Sequence, residues 1–231
     1  QVVAKGIWGQ ARIDAIDIFR KELTRHNQPL VVRTAGSSSF EFNRVGVDKA
    51  LPLMYIQVHF ADALKKTGYI KGSAIDAYKT PMMIAADGDG TIYDGPKLTE
   101  LPLLKNSPVY ASLVAFLRLG GVFMLVSGND LTRSFKRIIE GLPQELYSRV
   151  LIAANGGADL AFITPQGTPH FILEYRNHAL ESLKSTGHTQ VDIVYIGDDD
   201  SPNGNDRPAF NAVGLKRSVI VKSLDQTRAY I

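Results

Sequence analysis

The stretch Met82-Met83-Ile84-Ala85-Ala86-Asp87-Gly88-Asp89-Gly90-Thr91 decides how this chain folds. An apolar run that ends in a glycine-punctuated turn reads as a short buried strand of the kind found inside a parallel sheet. Ligands of such sheets sit at the carboxyl ends of the strands, and that is where Asp87 and Asp89 fall. Two carboxylates this close repel each other and call for a cation, while the small residues around them let a phosphate or a metal approach the backbone. The stretch points to a site, with phosphoryl chemistry at bound Mg²⁺ as its expected use.

Outward from it, from about residue 80 onward, short β-rich runs alternate with helical stretches. This order predicts an α/β fold with a doubly wound, Rossmann-like parallel sheet. Strands are expected at 82–87, 122–127, 150–154, 192–197 and 218–222. Between the first two, Ser107 can cap a helix, Pro108 suits its first turn, and Gly120-Gly121 ends it. Val109, Leu113, Phe116 and Leu117 share one face of that helix. Further helices are expected from near Asp130 to Gly141 and from about Arg176 to Gly187.

Residues 1–80 read as a small α+β, cap-like unit, and 81–231 as the larger domain. The small unit has a helix over 10–26, strand-like runs at Leu30-Val31-Val32-Arg33 and Phe40-Glu41-Phe42-Asn43-Arg44 on either side of a polar turn from Ala35 to Ser39, and a long helix from Asp48 to about Lys66. Its link to the larger domain falls around Gly72-Ser73.

Composition narrows the function classes. In 231 residues, 45% hydrophobic and 21% charged, there is ample material for a buried core and no sign of a disordered or fibrous class. Zero cysteines remove disulfides, thiolate catalysis and Cys-ligated zinc together, and fit a reducing compartment. The sequence has no bilayer-spanning apolar run and no leader-like pattern at its start, so a cytoplasmic protein without a membrane partner is expected. The first residue is Gln1, which suits a start inside a longer precursor. The net charge of +3 is mild, and Lys and Arg are scattered apart from pairs such as Lys65-Lys66 and Lys216-Arg217. No basic stripe with interleaved aromatics is present, so no nucleic-acid partner is expected. The five histidines, His26, His59, His170, His178 and His188, lack metal-ligand spacing. Trp8 and the tyrosines could line a sugar site, with core packing the default reading, and no Walker-type glycine-lysine loop occurs. The sequence does not specify an oligomeric state.

Polar groups end three of the expected strands: Asp87 and Asp89 the first, Ser127 the second, Asp198-Asp199-Asp200 the fourth. Parallel strands share one edge, so these groups converge on one cleft despite their separation in sequence. Here a family resemblance becomes specific. Asp87-Gly88-Asp89-Gly90-Thr91 resembles the first motif of the haloacid dehalogenase-like phosphatases, and Leu125-Val126-Ser127-Gly128-Asn129-Asp130 resembles their second. The run from Val194 to Asp206 is similar to their acidic fourth motif, with a slightly longer loop. Asn155-Gly156-Gly157 resembles a turn of the sugar-phosphatase branch, and Gly197-Asp198-Asp199 is similar to the fourth motif of sugar and trehalose-phosphate phosphatases.

The resemblance covers about residues 81–225 and implies a set of roles. Asp87 is the nucleophile that forms an aspartyl-phosphate, and Asp89 the acid and base that serves the leaving alcohol and then water. Mg²⁺ is the cofactor, held by Asp87, the backbone carbonyl of Asp89 and Asp198, with Asp199 and Asp206 as weaker ligand or supporting candidates. Ser127 and Gly128 hold phosphate oxygens. The expected partner is a small-molecule phosphomonoester, a phosphorylated sugar first.

A fixed cation must neutralise nucleophile and phosphate together. Arg176 opens a helix at the place in the chain where the family puts that cation. Lys49, in Val45-Gly46-Val47-Asp48-Lys49-Ala50-Leu51, resembles the surrounding motif more closely, yet precedes the first motif. Either cap and lysine have moved to the front of the chain, or residues 1–80 are the remnant of another domain. Two other functions fit the same residues: a phosphomutase or phosphotransferase, and a non-catalytic module that binds phosphate or a partner.

Overall fold

Strand β4 (Val122–Val126) is buried along its whole length, as an unbroken Val-Phe-Met-Leu-Val run must be when helices cover both faces of a sheet. It lies in a seven-stranded sheet with β3 (Met82–Ala86), β5 (Val150–Ala154), β6 (Asp159–Ile163), β7 (Pro169–Phe171), β8 (Asp192–Gly197) and β9 (Ser218–Ile220), ordered β7-β6-β5-β4-β3-β8-β9. The structure is a computed structural model and describes residues 10–35, 39–66, 82–94, 101–172, 175 and 192–231. Trp8, the middle of the polar turn after residue 35, the Gly72-Ser73 link, Arg176 with its helix to Gly187, His178 and His188 lie outside the described residues.

Five strands, β5-β4-β3-β8-β9, run parallel. All five expected strands form, three of them one or two residues shorter than expected. The expected α/β fold, with a mostly parallel sheet between helical layers, is the observed one. The sequence reading had no strands for β6 and β7, which pair antiparallel and extend the sheet beyond β5. Leu160-Ala161-Phe162-Ile163 is a short apolar run directly after a glycine turn, and such a run has no helical or alternating period to announce it.

Side chains alternate between two cores, as the pleat requires. On one face Met83, Ala85, Met124 and Tyr195 meet helices α2 (Ala50–Lys66) and α5 (Arg207–Val213) through Leu53, Ile56 and Phe210. On the other, Ile84, Ala86, Phe123 and Leu125 meet α3 (Tyr110–Arg118) and α4 (Leu131–Ile139) through Leu113, Leu117 and Ile138. The helix expected to be capped by Ser107 begins instead at Tyr110, with Val109 at its cap position and no side-chain cap. The Ser107 Oγ accepts from the Val109 amide at 3.1 Å, and Asp130 Oδ1 accepts from the Arg133 amide at 2.9 Å. Gly120 and Gly141 follow their helices with φ of 101° and 94°, the left-handed region that glycine enters without strain. Helices α5 and α6 (Leu224–Tyr230) have no counterpart in the sequence reading.

A separate small core joins α1 (Gln10–Arg25) to an antiparallel hairpin of β1 (Leu30–Ala35) and β2 (Ser39–Arg44), through Ile16, Val32 and Phe40. The hairpin and α1 both dock on the loop after β8: the Thr34 amide donates to the Asn203 carbonyl at 3.2 Å, and Arg20 Nη2 of α1 donates to Asn203 Oδ1 at 2.8 Å. No helix among the described residues is long and apolar enough to cross a membrane.

Candidate active site

Strand β3 has β4 on one side and β8 on the other, so the chain changes direction across the sheet at β3. A crevice at the carboxyl ends of the strands follows from that switch. Asp87 is the first residue past β3, its amide still bound to the Ile196 carbonyl at 2.9 Å. The chain then coils so that the amides of Ile92 and Tyr93 both bond back to the Gly88 carbonyl. Gly90 takes a φ of 83° in this coil, and a Cβ there would lie 2.6 Å from Asp198 Oδ2. The glycine thus lets Asp198, just past β8, lie directly against the backbone of the first loop.

The amino-terminal end of α2 delivers the cation. Asp48 caps the helix through Oδ1, 3.0 Å from the Ala50 amide, and its Oδ2 is 3.1 Å from Arg33 Nη2 in β1. Lys49, 1% exposed, runs into the crevice with Nζ 2.5 Å from Asp87 Oδ1 and 2.7 Å from Asp206 Oδ1. Burial alone lowers an ammonium, but Asp206 and Asp87 outweigh it and hold Lys49 above its ordinary value.

Asp87, Asp198 and Asp206 form the one cluster of metal-ligating side chains among the described residues, with an oxygen of each within 4.8 Å of the others. Their donor chemistry fits a hard divalent ion such as Mg²⁺. Charge balance fits too, since three carboxylates face one ammonium. Burial pushes Asp87 up to about 8 against the pull of Lys49, with Asp206 and Asp198 adding to the rise. Burial and Asp206 likewise push Asp198 up to about 6. Both shifts come first from burial, and the neighbouring carboxylates add to them.

Asp206 is nevertheless fully occupied. Its Oδ1 accepts from Lys49 and from the Tyr195 hydroxyl at 2.6 Å, and its Oδ2 accepts from the amides of Asp198 and Asp199, each at 3.1 Å. Four donors fill the four lone-pair positions of a carboxylate. That leaves Asp87 and Asp198 as the side chains with oxygen to offer a metal, and makes Asp206 the pivot that fixes Lys49 and the Asp198 loop. The sequence reading gave Asp206 a lesser place and Tyr195 none. Tyr195 carries no sequence signal beyond its position in a strand.

The other expected residues fall in two groups. Ser127 and Gly128 end β4 beside the crevice. The Ser127 Oγ accepts from the Asn129 amide and from Asn129 Nδ2, both at 3.1 Å, so its own proton is left to donate. A Cβ on Gly128 would meet nothing within 4 Å, so space lies open beside it. Asp89 and Asp199 are not in the acidic cluster. Asp199 Oδ1 accepts from Ser201 Oγ at 2.7 Å and its Oδ2 from Thr34 Oγ1 at 3.4 Å, tying loop to hairpin. The Asp89 carboxylate turns to Arg137 of α4, with Oδ1 2.5 Å from Nη2, and its Oδ2 lies 3.3 Å from Asn129 Nδ2. Arg137, fully buried, escaped the sequence reading because it sits in an ordinary amphipathic helix. Of the described histidines, His59 lies against the Tyr55 ring and His170 against the Phe162 ring.

No protein-family model and no curated protein matches the chain. Among solved structures it is similar to an IMP-bound mutant of the IMP-nucleotidase of Plasmodium falciparum, with 9% identity over 78% of this chain and 76% of that one and a TM-score of 0.46. An N-terminally truncated, IMP-bound form of that nucleotidase gives 12% identity, coverage of 72% and 69%, and a TM-score of 0.48. A haloacid dehalogenase-like hydrolase protein from Bacillus subtilis gives 11% identity, coverage of 69% and 86%, and a TM-score of 0.39.

Proposed function

We propose that the chain is a haloacid dehalogenase-like, Mg²⁺-dependent phosphomonoester hydrolase that works through an aspartyl-phosphate at Asp87, on a small phosphorylated sugar. The observation that carries this reading is the meeting of Asp87, Lys49 and Asp198 at the end of the central strand, from three distant parts of the chain. A carboxylate cannot approach an anionic phosphate unless cations neutralise both, and Lys49 is aimed at the atom that would attack.

Asp87 and Asp198 would hold the Mg²⁺, with the Asp89 carbonyl that the motif resemblance implies. When bound, the ion supplies the positive charge that the cluster lacks. An oxygen of Asp87 forms a bond to phosphorus as the bond to the alcohol oxygen breaks, and the departing alcohol takes its proton from Asp89. Water then attacks the aspartyl-phosphate and gives a proton to Asp89, releasing inorganic phosphate and restoring Asp87. Ser127 donates its hydroxyl proton to a phosphate oxygen, and the open backbone at Gly128 admits that oxygen. The sugar preference rests on the resemblance of the Asn155-Gly156-Gly157 turn and of the Gly197-Asp198-Asp199 motif.

The test is release of free phosphate from a panel of sugar phosphates with and without Mg²⁺. Metal-dependent release that favours sugar phosphates supports the reading. Transfer of label to a second hydroxyl without free phosphate would replace it with a phosphotransferase, and no turnover of any phosphomonoester would reject catalysis.

A further inference from the structure

Arg137 is a charged residue with zero exposure on a helix whose other inward residues include Leu131 and Ile138. Burying a guanidinium is costly unless it is paired, so its partners state its purpose. Nε donates to the Pro102 carbonyl at 3.0 Å, the guanidinium carbon lies 3.6 Å from the centre of the Tyr93 ring, and Nη2 meets Asp89 Oδ1 at 2.5 Å. Asp89 is its one charged partner at hydrogen-bonding distance among the described residues, and that side chain is 30% exposed to the crevice. The other Asp89 oxygen faces Asn129, which Ser127 in turn holds.

We infer that Arg137 is a positioning residue for the leaving-group step: it fixes the Asp89 carboxylate beside the crevice and outside the Asp87, Asp198 and Asp206 cluster. This rests on the hydrolase reading above. Asp89 is two residues from Asp87, and the unneutralised charge there would drive its carboxylate into solvent if nothing held it. Arg137 supplies the hold from below, Tyr93 backs the guanidinium with its ring face, and Asn129 limits the swing of the free oxygen. Proton transfer demands that the acid lie within hydrogen-bonding reach of the departing oxygen. Held through Oδ1 on the buried side, Asp89 keeps Oδ2 to carry the proton and meets that demand without any contact between Arg137 and substrate.

A purely structural Arg137, holding the 101–106 segment to α4 through Pro102, gives a different result. The experiment compares kcat/KM for p-nitrophenyl phosphate, whose leaving group departs with little help, and for a primary alkyl phosphate, whose leaving group must be protonated. In Arg137→Met the ratio of the two values rises about tenfold or more over wild type, as expected where a proton donor is misplaced. Arg137→Lys, which restores the charge, gives a smaller rise. Adding Arg137→Met to Asp89→Asn brings no further rise, because both act through one group. The ratio does not depend on the folded fraction, so a partly unfolded variant still reports. An unchanged ratio in both Arg137 variants, even with both rates lowered, overturns the inference, and so does a further rise in the double variant. Failure of wild type to hydrolyse either ester, or full activity in Asp87→Asn, strikes the hydrolase reading instead.

Discussion

At the scale of single residues, the crevice is a problem in charge. Asp206 spends all its lone pairs on Lys49, Tyr195 and two amides, so it acts as a brace, and Tyr195→Phe removes one of the four donors. The expected cost is about 1 kcal/mol in denaturant unfolding. Asp87→Asn keeps the volume and removes the attacking charge, so phosphate release is abolished while the circular dichroism spectrum stays that of wild type. The same charges set a pH dependence. Asp87 and Asp198 are raised to about 8 and about 6 from an ordinary 3.8. The folded, metal-free protein therefore binds protons that the unfolded chain has already released. Its stability falls as pH rises between about 4 and 8. Melting curves at a series of pH values should show that decline without metal, and added Mg²⁺ should flatten it. A melting temperature that rises with pH in metal-free buffer contradicts the raised values of Asp87 and Asp198.

At the scale of elements, most of the sheet is legible because buried parallel strands are unbroken apolar runs, and Val122–Val126 is one. The strand ends were legible for the same reason: Asp87, Ser127 and Asp198 each interrupt such a run. The hairpin β6-β7 was not, since its first strand follows a glycine turn at once and its second is three exposed residues. Arg137 and Tyr195 were not legible either, because their importance lies in what they touch across space and no local pattern records that. Gly90 shows how tightly one element constrains another. With φ of 83° and a virtual Cβ 2.6 Å from Asp198 Oδ2, it can carry no side chain without moving that carboxylate. Gly90→Ala adds a left-handed backbone penalty of about 1 kcal/mol and displaces Asp198. Titration calorimetry with Mg²⁺ should show about tenfold or greater weakening, the usual scale for a disturbed ligand shell. Unchanged affinity would mean that Asp198 is not a ligand.

At the scale of the whole molecule, the unusual feature is order. The lysine that meets Asp87 stands at the start of a helix that comes ahead of the first motif, Lys49 preceding Asp87 by 38 residues. That helix is not an appendage, since Leu53 and Ile56 share a core with Met83, Met124 and Tyr195, while α1, β1 and β2 keep a small core of their own and reach the site through Thr34 and Asn203. We therefore favour the rearranged chain, in which cap-like hairpin and lysine helix stand ahead of the sheet they serve, over a remnant domain. On this proposal Lys49 is the cation of the site and Arg176 does not carry that duty. Lys49→Met then takes the one cation from the buried pair of Asp87 and Asp206, at a cost of about 3–5 kcal/mol. It also lowers turnover by about a hundredfold or more, as loss of a transition-state cation does. On that reading Arg176→Ala should leave turnover within about threefold of wild type. Initial rates of phosphate release for the two variants, each corrected for its folded fraction, decide between the orders. A larger loss in Arg176→Ala than in Lys49→Met would give the role to Arg176 and make the contacts of Lys49 a matter of stability alone.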